Sequence, residues 1–273
     1  MTGWAEAAPP PFRFGPSGLL RVLWRGGLLA VLTYGGLLVL LVVRLVEWPF
    51  CGPARPVTPY ITQGVCRGAL IILRLPLTVQ GQPMIRPGAI VANHSSWLDI
   101  FVLNAVQRVC FVAKSEVSRW PSIGWLARAT GTVFITRKGT EAKRQQAVFE
   151  TRMLAGDRLL FFPEGTSTDG KRVLPFKSTL FAAFFAPALV RTLHVQPVTV
   201  VYHAPKGADQ RHYGWWGDMD FASHLLKTLA TGKQGRVEVT FHPEVPVSAF
   251  ENRKLLAQHC EQTIRAAHDL AVE

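Results

Sequence analysis

Ala89-Ile-Val-Ala-Asn-His-Ser-Ser-Trp-Leu-Asp-Ile100 is a β-run that gives way to a helix within a few residues. The apolar run ends at Ala92, and Ser95 or Ser96 is a natural N-cap for the helix that follows. His94 thereby falls in a strand-to-helix turn, with Asp99 about one turn into the helix. A carboxylate so placed can fold back onto one imidazole nitrogen while the other points at a substrate. It would then fix the tautomer and stabilise the imidazolium formed when His94 takes a proton. Taken singly, a His beside an N-cap is also a common turn residue, and an Asp in a first helical turn often serves the macrodipole.

The same alternation runs outward along the chain. β-like runs at 109–113, 131–136, 158–162, 195–202 and 236–241 join the run at 89–92. Between them lie helical stretches at 139–155 and 178–190. A last one, from about Asn252, puts Leu256, Cys260, Ile264, Ala267 and Ala271 on one face. Strand–helix alternation of this kind predicts an α/β domain, a mostly parallel central sheet flanked by helices.

The N-terminal quarter is different. Residues 1–18 are rich in Pro and Gly and are expected to lack regular structure. Residues 26–43 carry no charge and lie between Arg25 and Arg44, with Trp24 and Trp48 flanking them as interfacial aromatics do. The two arginines are placed to snorkel to lipid headgroups. No small-residue cleavage site follows, so the segment is a poor signal peptide. Arg13, Arg21 and Arg25 would stay in the cytoplasm by the positive-inside rule. The apolar stretch 60–75, with Ile61, Val65, Ile72 and Leu73, carries Arg67 and Arg74 on one helical face, as an interfacial amphipathic helix does. A helical hairpin that turns through Trp48-Pro49 and 53–59 would keep both ends cytoplasmic. The chain thus divides into a membrane-anchoring helical segment, 1–75, and an α/β domain, 76–273.

Composition narrows the partners. Lys and Arg number 30 against 18 Asp and Glu, a formal charge of +12, which favours an anionic partner. No nucleic-acid-binding module is present and the basic residues are scattered, so a lipid surface is the expected partner rather than nucleic acid. The 4 cysteines form no C-x-x-C pair and read as reduced thiols in a cytosol-facing protein. The 8 histidines include no H-E-x-x-H, and His203 and His212 share no helix face, so no metal is implied.

Three further blocks accompany the His94 stretch. Arg158-Leu-Leu-Phe-Phe-Pro-Glu-Gly-Thr-Ser-Thr168 is an apolar strand that ends in a charged turn, where open α/β sheets place ligand sites. Gly131-Thr-Val-Phe-Ile-Thr-Arg-Lys138 is a strand ending in a basic pair. Val195-Gln-Pro-Val-Thr-Val-Val201 is a β-run whose Pro197 marks an edge or bulge.

Together the four blocks resemble the 1-acylglycerol-3-phosphate acyltransferase (lysophospholipid acyltransferase) family, marked by N-H-x-x-x-x-D, F-I-x-R, F-P-E-G-T and V-x-P-V-type motifs in this order. Here they are Asn93-His94 with Asp99, Phe134 to Arg137, Phe162 to Thr166, and Val195 to Val198; Phe176-Lys177 matches the family's follow-on to the third block. The resemblance covers about residues 75–205. It implies an O-acyltransferase of membrane lipid biosynthesis in which His94 is the general base and Asp99 orients it. The acceptor hydroxyl would attack the thioester of acyl-CoA or acyl-carrier protein directly, without an acyl-enzyme. Arg137, Glu164 and Gly165 would bind the acceptor, with Thr166 in support and oxyanion donors near the Gly165 turn. The thioester is a co-substrate, so no cofactor is implied. The expected location is the inner membrane, with the catalytic domain facing the cytoplasm.

One departure bears on the acceptor. Many phosphate-using members continue F-P-E-G-T with Arg, where this chain has Ser167 followed by Thr168-Asp169-Gly170. Downstream lies the aromatic and acidic cluster Tyr213-Gly-Trp-Trp-Gly-Asp-Met-Asp220, and Ser167 together with its Trp215-Trp216-Gly217-Asp218 resembles the branch that acylates lyso-ornithine lipid. The acceptor is therefore lysophosphatidic acid or lyso-ornithine lipid; in the latter case Arg137 would meet a carboxylate and Asp169 or Asp218 an amine. A serine hydrolase is disfavoured because no G-x-S-x-G is present. The alternative is a catalytically inactive, membrane-anchored lipid-binding protein, against which the intact His94 and Asp99 weigh.

Overall fold

β2 (Gly88–Ala92) is buried at every residue because it lies inside a sheet covered on both faces. The computed structural model describes residues 3–6, 12–86, 88–136 and 142–272. The remaining strands are β1 (Leu77–Gln80), β3 (Cys110–Lys114), β4 (Val133–Ile135), β5 (Arg158–Phe161), β6 (His194–His203), β7 (Arg236–Phe241) and β8 (Val245–Pro246). Their order is β1-β7-β6-β2-β5-β3-β4, with β8 paired to β6 off this path. All pairings are parallel except those of β6 with β7 and β8. The expected α/β class with a mostly parallel sheet is the observed one.

Pro197 sits at neither an edge nor a bulge. It stands opposite Val91 in the middle of the sheet. β6 is paired to β8 through His194 and Val195 and to β7 from Val198 onward, so Pro197 occupies the gap between two antiparallel partners. A missing N–H costs little there. Gln196 fills the same gap, donating Nε2 to the carbonyls of Gln82 (2.8 Å) and His242 (2.9 Å).

Two apolar cores lie on the two faces of the sheet. One holds α3 (Thr58–Leu73), α4 (Asp99–Val106) and part of α7 (Phe221–Ala230), while the short α5 (Ile123–Ala129) leads into β4. The other holds part of α6 (Ala142–Leu154) and α8 (Arg253–Val272), whose Leu256, Cys260 and Ile264 are fully buried as their spacing implies. Ser178–Phe185 is a 3-10 helix rather than the start of an α-helix to 190. Its buried Phe181 and Phe184 are three apart, the spacing that eclipses in a 3-10 turn. Pro187 holds Ala186 extended and ends it there.

The N-terminal region holds more regular structure than expected. A helical turn, α1 (Gly3–Glu6), precedes α2 (Pro16–Cys51), a 36-residue helix about 54 Å long by its rise. α2 is long and apolar enough to cross a membrane, and little of it is buried. It forms a hairpin with α3 in which backbones come close: a Cβ on Gly36 would fall 2.3 Å from Val65, and one on Gly68 2.8 Å from Leu32. Small residues permit such an approach.

The arginines flanking the apolar run do not snorkel. Arg25 is 3% exposed and donates to the carbonyls of Leu229 (3.0 Å), Thr231 (2.6 Å) and Gly232 (3.2 Å) at the end of α7. Those carbonyls have no intrahelical donor, so a buried guanidinium is stabilised by them. Arg44 donates to Gly52 O (2.6 Å) and Ala54 O (2.7 Å), while Glu47 accepts from Val57 N and Thr58 N, which together shape the hairpin turn. Arg67, though exposed, donates Nε to Ala105 O (2.8 Å) at the end of α4.

Candidate active site

The parallel register of β2 with β5 brings the two strand-end turns side by side, at the carboxyl edge of the sheet. Asn93 extends the ladder with its side chain: Nδ2 donates to Val200 O (2.8 Å) and Oδ1 accepts from Val200 N (2.8 Å). That clasp fixes where the next residue, His94, leaves the sheet.

His94 Nδ1 lies 2.7 Å from Asp99 Oδ2. Ser96 Oγ accepts from Leu98 N (3.3 Å), a cap-like bond in the turn just before the helix, and Ser95 makes none. A turn at Trp97-Leu98 intervenes and α4 begins at Asp99 itself. Asp99 folds back over that turn, its Oδ2 accepting from Ser95 N (2.9 Å) and Ser96 N (3.1 Å). Its other oxygen accepts from Tyr202 Oη at 2.6 Å. Asp99 is 0% exposed, so these donors replace its solvation shell. The His94 ring stacks on Phe162, 4.1 Å between centroids, and its side chain keeps 19% exposure.

Glu164 grips the same turn from the β5 side. Its Oε1 accepts from His94 N (2.6 Å) and its Oε2 from Leu174 N (2.6 Å). Burial pushes its carboxyl up to about 8, against the pull of those two N–H donors. Gly165 takes φ +74°, a left-handed turn conformation, and a Cβ there would fall 2.7 Å from Lys177 Nζ. Lys177 thus lays its ammonium over the turn. Thr166 is exposed at the rim, and Thr168 N donates to His94 O (2.9 Å). Arg137 lies outside the described residues.

The aromatic cluster is docked on this site. Ser167 is buried and its hydroxyl donates to Trp215 O, while Trp215 N donates to Ser95 O (2.9 Å). Asp169 is not available to an amine. It is 2% exposed and held by Arg172 through Nε (3.0 Å) and Nη2 (3.0 Å). Asp218 is exposed, and Asp220 caps α7 by accepting from Ser223 N (2.8 Å).

The structure therefore joins His94, Asp99, Glu164 and Gly165 and adds Tyr202, which sequence reasoning passed over as one apolar strand residue among several. No local signal marks it, because its hydroxyl meets a carboxylate 103 positions away. Among the described residues no cluster of side chains is arranged to hold a metal ion.

A sequence profile of the family described as Acyltransferase matches residues 76–201. A lyso-ornithine lipid O-acyltransferase of Rhodobacter capsulatus is 55% identical over 264 residues, 96% of each chain. A 1-acyl-sn-glycerol-3-phosphate acyltransferase of Neisseria gonorrhoeae is 32% identical over 73% of this chain and 77% of its own. The crystal structure of the 1-acyl-sn-glycerophosphate acyltransferase PlsC from Thermotoga maritima superposes with a TM-score of 0.64 at 22% identity, covering 93% of this chain and 95% of that one, which shows a shared fold.

Proposed function

The chain belongs to the acyltransferase family that includes the lyso-ornithine lipid and 1-acylglycerol-3-phosphate acyltransferases, and from that premise we propose that it transfers a fatty acyl group from a thioester to the hydroxyl of lyso-ornithine lipid. The observation that carries the chemistry is the buried Asp99 carboxylate bonded to His94 Nδ1 at 2.7 Å. It commits Nδ1 to Asp99 and leaves Nε2 as the base. Nε2 takes the proton of the acceptor hydroxyl, and the oxygen attacks the thioester carbonyl. The tetrahedral intermediate then collapses, an ester bond forms, the carbon–sulfur bond breaks, and the thiolate recovers the proton from His94. Glu164 acts on this step by positioning, since it holds the backbone of His94.

The acceptor reading rests on the 55% identity to the Rhodobacter protein and on Ser167. With its hydroxyl spent on Trp215 O, Ser167 holds the aromatic segment against the site where many phosphate-using members carry Arg. Lys177 and Arg137 would then meet the ornithine carboxylate, and the exposed Asp218 the amine. The donor is acyl-carrier protein or acyl-CoA, and α2 holds the enzyme on the cytoplasmic face of the inner membrane. The test crosses both thioesters with lyso-ornithine lipid and lysophosphatidic acid, using purified enzyme. Lyso-ornithine lipid is expected to give the higher kcat/KM; efficient use of lysophosphatidic acid alone would overturn the acceptor assignment and leave the His94 chemistry standing.

A further inference from the structure

None of the residues lining a second opening belongs to the His94 or Glu164 turns. It is a cleft of about 490 Å³ between the start of α2, the end of α7 and the loop 205–216. Four cations line it, Arg13, Arg21, Arg211 and Lys227, against the carboxylate of Asp209. That carboxylate is already engaged: Arg211 donates Nε (3.1 Å) and Nη2 (2.9 Å) to it, holding its pKa down at about 2. Arg21 gives its Nε to Ala230 O (2.7 Å). Arg13 and the Lys227 ammonium make no hydrogen bond or ion pair among the described residues. Burial lowers the Lys227 pKa to about 8, against a weaker pull from Asp209, so a half-buried ammonium sits there with no contacting counter-ion among the described residues.

The walls say what kind of anion fits. Phe12, Phe14 and Trp216 give the cleft apolar sides. One turn further along α2 its exposed apolar face begins, with Leu19, Leu20, Leu23 and Trp24 all more than half exposed. A charged recess that opens beside a bare apolar helix matches a headgroup joined to acyl chains. A nucleotide would find its phosphates matched but its remaining polar surface laid against hydrocarbon.

We propose that this cleft holds the phosphate of an anionic membrane phospholipid, a lipid site separate from that of the acyl acceptor. The phosphate lies between Arg13 and Lys227, and the chains follow the exposed face of α2. The occupant is neither consumed nor formed in the reaction, so the site does not depend on which lysolipid is acylated.

Lys227 is its own reporter. Full-length protein in uncharged detergent is acetylated with acetic anhydride at pH 8, and labelling of each lysine is read by mass spectrometry. Three probes are compared: dihexanoyl phosphatidylglycerol, dihexanoyl phosphatidylcholine and adenosine 3′,5′-bisphosphate. Phosphatidylglycerol is expected to slow labelling of Lys227 several-fold and to leave exposed Lys254 on α8 unchanged. Phosphatidylcholine should protect less. Arg13→Gln lies outside the helices and spares the reporter; it should weaken protection roughly fivefold, the share of one basic residue at an anionic surface. Equal labelling of Lys227 with and without phosphatidylglycerol overturns the site. Protection by the bisphosphate as strong as by the lipid overturns the lipid assignment.

Discussion

Asp99 accepts four hydrogen bonds while fully buried, and each donor contributes to fixing the charge that His94 needs beside it. Two of those donors are backbone and cannot be removed by substitution, but Tyr202 can. Tyr202→Phe removes one bond to an ionised group, a loss of about 1.5–3 kcal/mol for such bonds. The expected outcome is a fall in kcat of roughly tenfold or more with KM little changed and a shifted pH–rate profile. A purely structural role for Tyr202 would lower thermal stability and leave that profile in place. Glu164 makes a second prediction, through pH. Its folded pKa of about 8 lies above the ordinary carboxyl value, so the folded state binds the proton more tightly than the unfolded chain does. Its contribution to stability is then full below about pH 4.5 and is lost as pH rises towards 8. Melting curves of Glu164→Gln should show a smaller loss of Tm between pH 5 and pH 8 than the wild type shows. An equal slope in both would mean the carboxyl is ionised throughout.

At the scale of elements, the join between α2 and α7 rests on Arg25. Arg25→Met would take the donor from the buried carbonyls of Leu229 and Thr231, leaving Thr231 O only Gln234 Nε2 at 3.5 Å, and from that of the exposed Gly232. Unsatisfied buried acceptors cost about 1–3 kcal/mol each, so a loss of about 3 kcal/mol in unfolding free energy is expected by denaturant titration. Arg25 also shows where sequence reading stops. Its apolar neighbours and flanking tryptophans gave it every mark of a headgroup-facing residue, and the carbonyls it serves lie more than 200 positions away. The strands were legible because apolar runs between turns need no such partner; six of them stand within a residue or two of where the pattern put them. β1 was not, since it is a mostly exposed edge strand with a weak apolar signal. Residues 178–190 look helical by apolarity, yet Pro187 and the paired phenylalanines favour a tighter turn. Around the site, the His94–Asp99 pair was readable from its spacing, whereas the helix starts later than the serines suggest because a turn at Trp97-Leu98 intervenes.

For the whole molecule, the N-terminal hairpin is both surface and core. α3 gives Cys66, Leu70 and Leu73 to the same apolar cluster as β2 and β6, while α2 turns most of its length outward. Full-length protein should sediment with membranes, stay bound in high salt and come off in detergent, because apolar insertion dominates over charge. Deleting residues 1–75 removes core side chains along with the membrane contact, so that fragment should aggregate rather than appear as a soluble enzyme; a monodisperse, cooperatively melting fragment would show that α3 is dispensable. All of this leaves His94 at the strand end with 19% of its side chain exposed to an incoming substrate. Single-turnover acyl transfer to lyso-ornithine lipid by His94→Ala, run beside wild type at matched folding and membrane binding, tests the general-base assignment most directly. The expected result is a rate lower by about 10²–10⁴-fold with an unchanged melting temperature; near-normal turnover by His94→Ala would contradict it.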